Sequence, residues 1–142
     1  MILGYSFVLF DLTYNSREIN KKIDAVVGPA YGVFSKVRWQ GIGSERLIIK
    51  DATGPLHDLF QGSFHRHFAN IELRPRGIII RIRYRLEVYG LVIPLDDLNV
   101  SVENNGLELS ISSQKIWVVL RNYQGRQLNR PFINKLMDFN SN

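Results

Sequence analysis

LNVSVENNGLELSISS, residues 98–113, decides how this chain folds. Asn105-Gly106 stands at its centre, and a two-residue turn of this kind needs the positive φ angles that Asn and Gly tolerate. Apolar residues alternate on both sides of it. With Asn105-Gly106 at the tip, Val102 faces Leu109 and Val100 faces Ile111, so both strands share one apolar face. Pattern and turn specify the same register, and the segment reads as an antiparallel hairpin.

Working outward, KIWVVLR at residues 115–121 is the next strand, and residues 123–127 turn. Asn129 then caps a final helix with Pro131 in its first turn and Phe132, Ile133, Leu136 and Met137 on its apolar side. Toward the N-terminus, residues 88–95, 77–86 and 63–73 are apolar, β-branched and aromatic stretches bounded by turns, and read as strands. Residues 51–55, DATGP, read as a loop, and residues 56–61 as one helical turn. Residues 46–50 and 33–40 are short strands separated by a turn at 41–43. At the start, residues 1–10 read as a strand. Asn15 and Glu18 form a capping box for a helix carrying Ile19, Ile23, Val26 and Val27, which Gly28-Pro29 ends. Trp39 and Trp117 have apolar neighbours and are expected in the core.

Counted from Arg46, this gives seven strands and one amphipathic helix. The expected fold is mainly β (α+β): a curled antiparallel sheet or partly open barrel, capped by the C-terminal helix. A strand–helix extension (1–45) precedes the β core (46–142), and with no repeat or linker the whole forms one domain. The 142 residues are 45% hydrophobic and 22% charged, which is a globular composition able to bury a core without a metal or disulfide. The absence of cysteine excludes disulfides, a thiol nucleophile and iron–sulfur or cysteine–zinc sites. Residues 77–95, the longest apolar candidate, are interrupted by charge, and residues 1–10 lack a basic flank, so a cytoplasmic location is expected.

The net charge of +5 is unevenly placed. Residues 66–85 carry Arg66, Arg74, Arg76, Arg81, Arg83 and Arg85 against Glu72 alone, and the flanking segments nearly cancel. If Pro75-Arg76 is the tip of a hairpin, Ile71 meets Ile80 and His67 meets Tyr84 on the apolar side. On the other face Asn70 meets Arg81, Phe68 meets Arg83 and Arg66 meets Arg85, with Glu72 and Glu87 near the two ends. Arg66, Arg81, Arg83 and Arg85 then form a surface that attracts anions. The alternative is a solvated, salt-bridged sheet face.

His57, His65 and His67 are the only histidines. His65 and His67 point to one side of a strand, as metal ligands can, and with Glu72 and Gly77 they partly resemble the first motif of cupins. No later histidine supplies that family's second motif, so a small metal-dependent enzyme at these residues is the alternative function. Gly41-Ile42-Gly43 lacks the remainder of a dinucleotide fingerprint, and no P-loop or nucleophile elbow occurs. No cofactor is expected.

Residues 76–137 resemble a bacterial pleckstrin-homology-like (PH-like) domain. The residues carrying the resemblance are GIII at 77–80, IPLDDL at 93–98, NGLEL at 105–109, IWVVL at 116–120 and the closing helix. It implies a non-enzymatic binding or scaffolding module for lipids, peptides or proteins. The expected anionic partners are, in order, an acidic protein surface, a phosphorylated lipid headgroup and, last, nucleic acid. Nucleic acid ranks last because Phe68 and Tyr84, the aromatics beside the arginines, face opposite sides.

Overall fold

The structure is a computed structural model and describes residues 8–32, 43–53, 57, 67–114 and 116–140. Among the described residues eight antiparallel strands form one sheet: β1 (Val8–Asp11), β2 (Leu47–Ala52), β3 (Phe68–Arg74), β4 (Gly77–Tyr84), β5 (Glu87–Pro94), β6 (Asn99–Glu103), β7 (Glu108–Ser113) and β8 (Ile116–Asn122). The helices α1 (Arg17–Val27) and α2 (Arg130–Asn140) pack against it. The spatial order is β1-β5-β4-β3-β2-β8-β7-β6. Two meanders, β2–β5 and β6–β8, are therefore joined through the β2–β8 pair. β5 and β6 follow one another in sequence across a single 3-10 turn, Leu95–Asp97, yet lie far apart in the order. The sheet is open, with β1 and β6 at its two edges.

The expected hairpins form in the expected register. Val102 faces Leu109 and Val100 faces Ile111, and Asn105 (φ 56°) and Gly106 (φ 86°) make the turn. In the β3–β4 hairpin Phe68 faces Arg83, Asn70 faces Arg81 and Ile71 faces Ile80. His67 stacks on Tyr84 with ring centroids 5.3 Å apart. The strand expected at residues 33–40 lies outside the described residues, as do most of 1–10 and 56–61.

Alternation sorts each strand between two faces. Ile71, Ile78, Ile80, Ile82, Leu91, Leu109, Val118 and Leu120 pack into one large core together with Phe132 and Leu136 of α2. Each fully buried side chain of this size contributes about 1.5–3 kcal/mol. Asn129 caps α2, its Oδ1 accepting the Phe132 N–H at 3.1 Å, while Met137 is left at the surface. On the opposite face α1 lays Ile23 and Val27 on Phe10, Ile79 and Val92. Thus β4 and β5 are buried on both sides at this end only.

Five expectations change. The α1 cap is Ser16, one residue later than expected, with its Oγ accepting the Ile19 N–H at 3.3 Å. Asn15 instead accepts from the Asn20 side chain. Asp51 and Ala52 belong to β2, where a bulge between Ile49 and Asp51 keeps the strand paired to β8. Trp117 is 37% exposed, because Ile116, Val118 and Leu120 take the core side of β8. β4 stops at Tyr84, so Arg85 (φ 57°) and Leu86 are turn residues, not ladder residues. That tight turn puts Glu87 opposite Tyr84, on the far face from Arg81 and Arg83.

Candidate functional site

The arginines of the β3–β4 hairpin divide by their surroundings. Arg74 is 7% exposed. Its Nε donates to Glu72 Oε2 at 2.5 Å, and its Nη1 donates to Asp24 Oδ1 at 3.1 Å and to the Gly28 carbonyl at 2.9 Å. Arg76 donates from Nη2 to the Asp24 carbonyl at 3.2 Å, and its backbone N–H donates to the Val27 carbonyl at 2.8 Å. These two cations meet the carbonyl end of α1, where the helix dipole is negative. They fasten the helix to the sheet.

Arg81 donates from Nη1 to Glu72 Oε1 at 2.8 Å and keeps a third of its side chain in solvent. Glu72 is thus shared by two guanidinium groups. Burial alone pushes its carboxyl up, but the bonds and charges of Arg74 and Arg81 outweigh this and hold it below the ordinary value. Arg83 is exposed and has no ion pair among the described residues. Arg85 lies over the Tyr84 ring at 5.4 Å. Arg66 lies outside the described residues. Glu87 accepts a hydrogen bond from the Tyr89 hydroxyl and neutralises no arginine of the face.

Beyond β4 the same face carries basic groups that sequence reading missed. Phe68 pairs with Ile48 on β2, and Ile48 pairs with Arg121 on β8. Arg83, Phe68, Ile48 and Arg121 therefore stand in one row across four strands. The neighbouring row runs through Arg81, Asn70 and, where the backbones of Arg46 and Tyr123 meet, Arg46 and Tyr123. The Arg46 guanidinium lies 5.1 Å from the Phe68 ring centre and 5.6 Å from that of Tyr123. A groove of about 950 Å³ opens here, lined in part by Arg46, Phe68, Asn70, Glu72, Arg81 and Arg83.

Three acidic groups near these rows are engaged. Glu108, opposite Arg121, pairs with Lys50, and Glu72 is held by Arg74 and Arg81. Glu45 accepts from the Asn122 side chain at 2.8 Å and from the Asn129 N–H at 2.9 Å, which ties the start of α2 to β8. Four arginines, Arg46, Arg81, Arg83 and Arg121, thus share a face on which Glu72 and Glu108 are ion-paired, while Asp51, opposite Val119, and Glu103, beyond Glu108, have no ion pair among the described residues. Aromatics share it too: Phe68 and Tyr123 within the rows, and Trp117 farther along β8. Arg46 and Arg121 left no local signal, because neither belongs to a cluster of basic residues in sequence and each joins the others only through strand pairing.

The histidines do not gather among the described residues. His57 is exposed, His67 stacks on Tyr84 on the side away from the arginine rows, and His65 lies outside the described residues. Among the described residues no group of three His, Cys, Asp or Glu side chains is placed to hold a metal ion. No helix among them is long and apolar enough to cross a membrane. Comparisons of the chain with protein-family models, with curated proteins and with solved structures found no match.

Proposed function

We propose that this protein is a non-enzymatic binding or scaffolding module that takes an anionic partner across the two arginine rows of its sheet. The observation that carries the reading is the gathering of Arg46, Arg81, Arg83 and Arg121 on one face, where the carboxylates of Glu72 and Glu108 are already ion-paired. Arginine suits such a site because its planar fork makes two parallel bonds to a carboxylate, sulfate or phosphate. Arg46 is held between two aromatic rings, so less side-chain freedom is lost when it meets a ligand.

The PH-like likeness is part of this proposal. Its support is the seven-strand run β2–β8, open between β5 and β6 and closed by a terminal helix whose Phe132 and Leu136 enter the core. In this reading β1 and α1 are an elaboration that covers one end of the outer face.

The test uses labelled dextran sulfate as a generic polyanion. Binding is expected at low ionic strength and should fall as salt rises. The double variant R83E/R121E should abolish it, while circular dichroism stays unchanged because both side chains are exposed. Equal affinity of the folded double variant would refute the site.

A further inference from the structure

We infer that the anionic partner is a single-stranded nucleic acid, lying across β4, β3, β2 and β8. This inference rests on the anion-binding reading above and adds the class of ligand. Its phosphates meet Arg83, Arg46 and Arg121, and its bases stack against Phe68, Tyr123 and Trp117. An acidic peptide or a lipid headgroup would use the arginines but has little need of aromatic rings set among them. A base has a π-face, and stacking on such rings is the main sequence-tolerant contribution to single-strand binding.

The placement of the aromatics carries the inference. Phe68 and Tyr84 do lie on opposite faces, but Tyr84 is not the only ring beside the arginines. Tyr123 and Phe68 flank the Arg46 guanidinium on the arginine face, at 5.6 Å and 5.1 Å. Trp117, 37% exposed, stands on that face too, four residues from Arg121 along β8 and hence about 13 Å away. The Phe68 and Tyr123 rings with the Arg46 guanidinium between them form one stack, which a base extends at a ring face. Across the strands, Arg83 and Arg121 are three intervals apart, about 14–15 Å, with Phe68 between them. The buried Ile48 takes the remaining place in that row, so one ring lies between two exposed cations in the direction a strand would run. A duplex hides its base faces and is read by an element that enters a groove, which an open sheet face does not supply.

The test compares three labelled ligands by fluorescence anisotropy: a short oligothymidylate, an abasic oligomer with the same number of phosphates, and polyaspartate. Oligothymidylate is expected to bind best, at least five-fold more tightly than the abasic oligomer. Three arginine–phosphate contacts predict a slope of log K against log salt of about −2. Phe68→Ala should lower oligothymidylate affinity at least five-fold and leave abasic binding nearly unchanged. Trp117→Ala provides the same readout at an exposed position where folding is not at risk. If all three ligands bind alike and neither aromatic variant matters, the nucleic-acid inference is overturned while the anion site stands. If none of the three binds at low salt, both fall.

Discussion

Arg74 and Arg83 lie nine residues apart on the two strands of one hairpin, on the same face of the sheet, and do different work. Arg74 sits under the end of α1, 7% exposed, with two carboxylates and a helix carbonyl around its guanidinium. Arg83 lies beyond the reach of that helix, exposed and without an ion pair among the described residues. The residue type is identical, so the difference lies in what covers each position. A helix end converts one arginine into a fastening, and its absence leaves the other in solvent. A run of six arginines in sequence is therefore not one functional unit.

The sharpest contrast is in stability. Arg74→Met should cost about 3–5 kcal/mol, the range for breaking a buried ion pair, because it takes one guanidinium from the largely buried Glu72 and leaves the Gly28 carbonyl without its donor. Arg83→Met should stay within about 0.5 kcal/mol of the parent. Urea unfolding of both variants measures the gap, and equal midpoints would erase the distinction.

The seat of α1 gives the next largest effect. A Cβ on Gly77 would lie 2.4 Å from both the Ile93 carbonyl oxygen and Val27 Cγ1. Gly77→Ala should therefore push the helix off the hairpin and cost about 1–3 kcal/mol, as overpacking does. Near-ultraviolet circular dichroism and thermal melting would register it, and an unaltered melting temperature would mean that α1 packs less closely.

Acid should loosen the same joint more gently. The Glu72 carboxyl is held below its ordinary value of 4.5 in the folded chain. Its contribution is therefore complete above that value and is lost as pH falls toward the lower, folded one. Acid titration of stability should show a decline below about pH 4.5 that Glu72→Gln removes in part. A Glu72→Gln profile parallel to the parent's would show that the carboxylate is not held this way.

The smallest expected effect is at the other tip of β4. Arg85 has φ 57°, a conformation that costs an L side chain about 1–2 kcal/mol and glycine almost nothing. Arg85→Gly should raise stability by about 0.5–1 kcal/mol, after allowance for glycine's greater freedom in the unfolded chain. If it also leaves polyanion binding intact, Arg85 is not part of the ligand surface. A loss of binding would bring this turn into the site beside Arg83.

Much of the fold was legible because local signals agreed. Asn105-Gly106 and the flanking alternation gave one register for β6–β7, and Pro75-Arg76 with its neighbours gave the Phe68–Arg83 pairing. Asn129 marked the start of α2. The apolar run IWVVL was less legible: with apolar residues on both faces it carries no period, so Trp117 read as core until β8 was seen between β2 and β7. The α1 cap slipped by one residue because Asn15 and Ser16 are both good caps.

The amino-acid sequence by itself determined the strands, the tight hairpins, the terminal helix and the place where the charge is concentrated. Each of these depends on neighbours a few residues away, where periodicity and turn chemistry act. Only the tertiary structure decided what the arginines do. Burial of Arg74 needs α1 brought against the β3–β4 turn, and the joining of Arg46 and Arg121 to Arg83 needs β2 paired to both β3 and β8. Those pairings close loops between residues as far apart as Arg46 and Tyr123, and no local pattern encodes which distant strands will meet.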